Sequence, residues 1–203
     1  MDQSDFNVAH QNQSVESRIV VALERISQAY RVLLWQECKD LSLSPIQVQV
    51  LIFLLHHEAP MRKVSYLADE FNMTKATISD TVKSLEQKQL IFKVFGEQDG
   101  RSYTIDLTEK GREVAQQRSF FTKEIHTSVA ELPPQEKESL LLSLVGIIHH
   151  LNNAGVITLQ RMCLKCVQYQ SLNDGKHYCK LLEKELKPTE LRIDCPEFEA
   201  RPS

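Results

Sequence analysis

Hydrophobic residues recur along this chain at two spacings, and the places where the spacing changes mark out its elements. Between residues 14 and 40, Ile19, Leu23, Ile26, Tyr30 and Leu33 fall three or four apart and form a single stripe. That period predicts a long helix with one apolar face, packed against a partner. The stretch "SPIQVQVLIFLLHH" follows, with Ser44 at the N-cap, Pro45 at the first helical position and Gln47 placed for a capping box. It is apolar nearly all round, so it is expected at the centre of the fold. "MRKVSYLADEF" predicts a short amphipathic helix carrying Val64, Leu67, Ala68 and Phe71. After a break at "NM", "TKATISDTVKSLEQK" predicts another, capped by Thr74 and turning Ile78, Val82 and Leu85 inward. Two short helices across a tight turn read as a helix-turn-helix.

The period then switches to that of strands. "LIFKVF" and "SYTIDL", joined by "GEQDGR", predict a two-stranded hairpin. "TEKGREVAQQRSFFTKEIHTSVAEL" predicts one helix capped by Thr108. Pro133 and Pro134 end it and start the next, which runs through Leu140, Leu141, Leu144, Ile147, Ile148 and Leu151. Beyond it, Val156, Leu159, Cys163, Cys166 and Val167 keep a helix-like spacing, so the last helix is expected to continue and carry two cysteines on its apolar face. "NDGK" reads as a turn, "HYCKLLEKEL" as a short helix and "KPTELRIDCPEFEA" as a returning segment. The fold class is therefore mainly α: a winged helix-turn-helix with a two-stranded β wing, long dimerisation helices and a short four-cysteine tail. Residues 14–152 are assigned to the dimeric winged-helix domain, with its DNA-binding part at about 61–112, and residues 153–203 to the tail.

A winged helix suits duplex DNA, because its second helix fits the roughly 12 Å major groove and its hairpin tip reaches the backbone or the minor groove. On that helix Ala76, Asp80 and Lys83 point outward, while Lys75, Thr77 and Ser79 flank its N-terminal end. A lysine, hydroxyls and a helix N-terminus are suited to phosphates and base edges. The net charge of −3 excludes a strongly basic protein. Between residues 61 and 112 there are nine Lys and Arg against eight Asp and Glu, so binding must rest on a few placed contacts. No apolar run approaches the roughly 20 residues of a membrane span. The N-terminus "MDQSDFNVAHQNQS" lacks the features of an export signal, so a cytoplasmic location without membrane attachment is expected.

Five cysteines in such a chain are expected as reduced thiols or metal ligands. Cys163, Cys166, Cys179 and Cys195 form C-x2-C-x12-C-x15-C. Four thiolates at such spacing are a common structural zinc set, and a tail this short has little core of its own to fold it. A [4Fe–4S] cluster is the alternative, because proline follows Cys195 as it often follows a cluster cysteine. Arg161, Lys165, Lys176, Lys180 and Arg192 lie nearby in sequence to offset the site's charge. His177 could replace one cysteine but reads rather as a partly exposed helix-start residue, and Cys38 as a small buried hydrophobe. Adjacent histidines do not share a helix face, so His56–His57 and His149–His150 make poor metal clamps.

"DGRSYTIDLTEKG", residues 99–111, closely resembles the wing signature of the MarR family: D-x-R, a strand, then L-T-x-x-G. "SYLADEFNMTKATISDTVKSLEQKQLI" resembles that family's helix-turn-helix, and the likeness spans about residues 14–152. The resemblance implies a homodimeric transcription regulator, not an enzyme. It further implies that the first and last helices build the dimer interface and that the wing arginine enters the minor groove. By this resemblance Arg101 is the wing-tip arginine, Asp99 orients it, and Thr108 and Gly111 are structural. The implied partner is double-stranded DNA with a pseudo-palindromic site, since two-fold symmetry places the recognition helices about one DNA turn apart. Family members often bind small aromatic acids as effectors.

Two positions depart from the pattern. Asp80 follows Ser79 where a basic residue is common, and Gln89 stands where a glycine usually ends the recognition helix. Competing with a zinc-stabilised DNA-binding regulator are an iron–sulfur redox or iron-sensing regulator on the same scaffold and a protein-interaction module that has lost DNA reading. A thiol–disulfide enzyme fits poorly, because its first cysteine usually sits at a helix N-terminus in a strand-helix fold.

Overall fold

Two compact units make up the chain, described from a computed structural model that covers residues 4–96 and 102–201. One unit is built from the chain up to residue 63 together with residues 80–125, the other from residues 64–79 and the chain from residue 126 on. The elements, in order, are α1 (Val8–Gln11), α2 (Val15–Gln36), α3 (Pro45–His56), α4 (Val64–Glu70), α5 (Lys75–Gln87), β1 (Ile91–Phe95), β2 (Tyr103–Leu107), α6 (Glu109–Arg118), α7 (Lys123–Ala130) and α8 (Pro134–Asn153). After these come three short strands, β3 (Tyr169–Ser171), β4 (His177–Cys179) and β5 (Lys184–Leu186). The order α4–turn–α5–hairpin is that of a winged helix-turn-helix.

In the first unit α3 is the core. The Ser44–Gln47 capping box forms, with Pro45 at the first position, and Val48, Val50, Leu51, Phe53 and Leu54 are buried. It packs against α2, α6 and β2. On α2 only Ser17 and Leu34 are buried. The stripe residues Ile19, Ile26 and Tyr30 are exposed within the chain, as are Val20, Val32 and Trp35. Strands β1 and β2 pair antiparallel from Ile91↔Leu107 to Phe95↔Tyr103. The hairpin is anchored by Arg62, whose carbonyl accepts the Ile105 N–H at 2.8 Å and whose guanidinium donates to Asp106 at 2.7 Å and to the His57 carbonyl at 2.6 Å. Cys38 is buried as expected, its thiol donating to the Leu34 carbonyl at 3.2 Å. Burial pushes that thiol's pKa up.

Three sequence expectations are corrected. The single helix after Thr108 is two, α6 and α7, because the chain tightens at residues 119–123. Ser119 Oγ donates back to the Ala115 carbonyl at 2.7 Å, and Phe121 and Lys123 make three-residue turns to Arg118 and Phe120. The last helix does not continue into the cysteines. It stops at Asn153, Gly155 takes φ 72°, and Val156 N–H closes back on the Leu151 carbonyl. "HYCKLLEKEL" is not a helix but β4, a turn through Glu183 at φ 52°, and β5. The tail is thus a small antiparallel sheet in the order β3-β4-β5, beside an isolated bridge between Cys166 and Ala200. No single helix among the described residues is long and apolar enough to cross a membrane.

Candidate nucleic-acid interface and thiol centre

The turn before α5 uses Asn72 at φ 52°, a left-handed position that asparagine tolerates. Thr74 then caps α5 as its sequence predicts, its hydroxyl accepting from the Thr77 N–H at 3.1 Å and sharing a 2.8 Å hydrogen bond with the Thr77 hydroxyl. Ile78, Val82 and Leu85 are fully buried. That fixes the rotation of the helix and leaves Lys75, Ala76, Thr77, Asp80 and Lys83 exposed, with Ser79 half-buried. All six candidate residues on this helix therefore share one face and its flanks. Asp80 lies 3.4 Å from Lys83 one turn on, so the carboxylate that departs from the family pattern is partly offset by its neighbour. Being exposed, that pair adds little stability.

The chain leaves α5 through Gln89, two residues past the helix end, which adopts φ 58° without being glycine. Its carbonyl accepts from the Thr108 hydroxyl at 2.8 Å, and Thr108 also caps α6 through the Gly111 N–H at 3.0 Å. A Cβ on Gly111 would meet the Leu90 carbonyl oxygen at 1.8 Å, so only glycine fits this junction. Sequence reading missed Lys93, which bonds Glu86 at 2.6 Å and stands 5.3 Å from the centre of the Tyr103 ring. The bond to Glu86 pushes the pKa of Lys93 up and ties the hairpin to the end of α5. The wing candidates Asp99 and Arg101 lie outside the described residues.

The four tail cysteines come from three separate elements. Cys163 and Cys166 bracket a tight turn closed by the Cys166 N–H on the Cys163 carbonyl at 3.0 Å. Cys179 ends β4, and Cys195 donates its N–H to the Arg161 carbonyl at 3.0 Å. All four line one cavity of about 30 Å³, walled also by Tyr169, Leu181, Leu182 and Leu186. Such a volume holds a water-sized guest or two. The Arg192 N–H points at Cys163 Sγ from 3.3 Å, and the Arg192 guanidinium at Cys195 Sγ from 3.4 Å. Burial, more than the other three thiols around it, pushes the Cys163 pKa up. His177 is engaged elsewhere, 2.7 Å from the Tyr169 hydroxyl. No group of three or more His, Cys, Asp or Glu among the described residues is drawn in to metal-holding spacing. The thiols therefore share a cavity rather than a closed coordination sphere. The donor set still fits a thiophilic ion. All four cysteines line one space, the sulfurs of Cys163 and Cys195 already receive N–H donors, and Arg192 stands beside them to offset thiolate charge.

Comparison with known proteins gives the same fold. A model of the MarR family matches residues 41–102, less than a third of the chain. No curated protein sequence matches significantly. Among solved structures, MepR of S. aureus in complex with DNA is similar at 24% identity and a TM-score of 0.56, over 64% of this chain and 96% of that one. MepR in its DNA-binding conformation is similar at 23% identity and a TM-score of 0.58, over 66% and 98%. A MarR-family transcriptional regulator from Silicibacter pomeroyi is similar at 21% identity and a TM-score of 0.58, over 73% and 98%. At these identities the likeness is one of fold, and this chain has the MarR-type winged helix-turn-helix fold.

Proposed function

We propose that this protein is a MarR-like transcription regulator that binds double-stranded DNA as a homodimer and holds one structural zinc ion in its tail. The observation that carries the DNA reading is the fixed rotation of α5. Burial of Ile78, Val82 and Leu85 leaves Lys75, Ala76, Thr77, Asp80 and Lys83 as the face offered outward. In this reading the face enters the major groove, Lys75 and the N-terminus of α5 hold phosphate, and Asp80 accepts from a cytosine amine. Arg101, oriented by Asp99, takes the minor groove. MepR, of the same fold, has been crystallised with DNA.

Homodimerisation is supported by the apolar residues that α2 leaves exposed, Ile19, Val20, Ile26, Val32 and Trp35 among them, and by exposed Leu140, Leu142 and Ile147 on α8. For the effector, a groove of about 360 Å³ lined by Tyr30, Arg31, Leu34, Trp35, Gln49 and Phe121 suits a small aromatic acid, with Arg31 available to its carboxylate. Zinc is supported by four thiols around a cavity of single-ion scale. Zinc has no redox chemistry, and binding by all four sulfurs would leave no position for a reacting water, so its role in this reading is structural rather than catalytic.

A gel shift with the protein's own upstream region, set against random duplex competitor, tests the DNA reading. Selective retardation is expected, and its absence at micromolar protein would favour an interaction module. Metal analysis tests the zinc. One zinc per chain is expected, whereas a brown protein with stoichiometric iron and sulfide would replace zinc by a cluster and make redox or iron sensing the function.

A further inference from the structure

Arg161 stands two residues before Cys163, and Asp194 directly precedes Cys195. The Arg161 side chain is 6% exposed and reaches in two directions. Toward the thiol centre, Nε and Nη2 donate to the two oxygens of the Asp194 carboxylate at 2.6 and 2.7 Å, a bidentate fork. Toward the helix-turn-helix, Nη1 donates to Glu70 at 2.6 Å and to the Tyr66 hydroxyl at 2.8 Å, both on α4. The guanidinium also lies 5.7 Å from the centre of the Tyr66 ring. One buried cation therefore joins α4 to the segment that carries Cys195.

The fork depends on how the two cysteine-bearing segments pair. Cys195 N–H donates to the Arg161 carbonyl and Cys163 N–H to the Arg192 carbonyl, each at 3.0 Å, and Arg192 N–H donates to Cys163 Sγ at 3.3 Å. These three bonds set Asp194 opposite Arg161. Every one of them involves Cys163 or Cys195, so whatever pins those two sulfurs also pins the fork. The same stretch of chain closes over the end of α4. The Thr158 hydroxyl donates to the Asp69 carbonyl at 2.6 Å, filling a terminal acceptor of that helix, and Asn72 donates to the Val156 carbonyl at 3.4 Å. Helix α4 has seven residues and buries only Leu67 and Ala68. A helix that short has no stability of its own, so its order comes from what packs on it.

We infer that the thiol centre controls the order of α4, and hence the setting of the helix-turn-helix, with Arg161 as the positioning residue that links them. The inference rests on the metal reading of the four cysteines. With an ion bound, Cys163 and Cys195 share one anchor, Asp194 stays opposite Arg161, and the buried guanidinium keeps carboxylates on both sides. Without the ion the paired segments part, the fork loses Asp194, and a half-matched buried charge is costly. Helix α4 then loses its tie to the segment that carries Cys195. The protein becomes a regulator whose DNA-reading domain senses the metal supply.

The test is hydrogen exchange of the amides of residues 64–72 in the full chain, first with one zinc per chain verified by metal analysis, then after removal by a chelator. Exchange in 64–72 is expected to rise at least tenfold on zinc removal, while the β2 amides keep their protection. Arg161→Gln should still bind one zinc, with an unchanged thiolate absorption in its cobalt-substituted form. Its 64–72 amides should exchange fast with or without metal, and Arg161→Lys, unable to make the fork, should restore only part of the protection. Protected β2 amides in these variants separate a loosened α4 from a failure to fold. Wild-type protein carrying one zinc, yet exchanging equally at 64–72 before and after its removal, overturns the coupling and leaves the zinc site standing. A continued zinc response in Arg161→Gln overturns it as well. A chain that binds no metal defeats the metal reading itself, and the coupling with it.

Discussion

Gly111→Ala and Gly146→Ala add the same methyl group to two helical glycines and should move stability in opposite directions. At position 111 the new Cβ would stand 1.8 Å from the Leu90 carbonyl oxygen and 2.8 Å from its carbon. Both neighbours are backbone, so the first turn of α6 must move away from the chain leaving α5 by more than an ångström. Three hydrogen bonds lie in the path of that movement: Thr108 N–H to Leu90 at 3.1 Å, Thr108 hydroxyl to Gln89 at 2.8 Å, and Gly111 N–H to the Thr108 hydroxyl at 3.0 Å. Losing an N-cap costs about 1 kcal/mol and each further bond about 0.5–1.5 kcal/mol. Alanine's better helix propensity returns roughly 1 kcal/mol. The net loss is on the order of 1–3 kcal/mol. At position 146 nothing in the same chain lies within 4 Å of the added Cβ, so within one chain only the propensity gain remains, about 0.5–1 kcal/mol. Urea denaturation followed by circular dichroism measures both. A Gly111→Ala protein as stable as the wild type would refute the close approach of α6 to Leu90 and the packing built on it.

Arg62→Ala removes a half-buried guanidinium that bonds Asp106 and the His57 carbonyl. It should cost about 2–3 kcal/mol in the same assay and speed amide exchange at Ile105. Cys166→Ser should release the metal and make the chain beyond residue 159 protease-sensitive, while β1 and β2 remain protected. His149 titrates below its ordinary 6.5, because burial and then the charges of Lys165 and Arg201 disfavour its protonated form. As pH falls through 6.5 the unfolded chain takes up that proton first, so the contribution present above 6.5 is lost below it. Proton NMR titration of the imidazole gives the pKa, and urea midpoints at pH 5.5 and 7.5 give the sign.

Much of the winged-helix part is legible in the sequence because it is written in local chemistry. Ser44 with Gln47, Thr74 and Thr108 are caps whose partners lie three residues away, and all three form. The inward face of α5 follows from three residues of one period. Gln89 is legible as a departure, and the structure gives it the left-handed backbone that a glycine would take. The break after α6 leaves no such mark. "QQRSFFTKE" has neither glycine nor proline, and the break depends on Ser119 bonding back to Ala115 and on Phe121 meeting Tyr30 edge to face at 6.4 Å. In the tail, Cys163 and Cys166 mimic helical spacing while serving a tight turn, and strands of three residues are too short to show alternation. Arg161 reaches partners 91 and 95 positions earlier in the chain, a separation that no local pattern records.

The central claim, that this chain reads duplex DNA with α5 and its wing, is tested most directly by fluorescence anisotropy on a duplex from the protein's own upstream region over a range of salt concentrations. With nine basic against eight acidic residues between 61 and 112, the proposed reading places about two cations per protomer on DNA, Lys75 and Arg101. The affinity should then fall with a log–log slope of about −4 for the dimer. Lys75→Ala should flatten that slope by about 2, one contact in each protomer, and Arg101→Ala should weaken binding by about 1–3 kcal/mol without altering the fold. Binding that is salt-independent, or unchanged in both variants, would contradict the account.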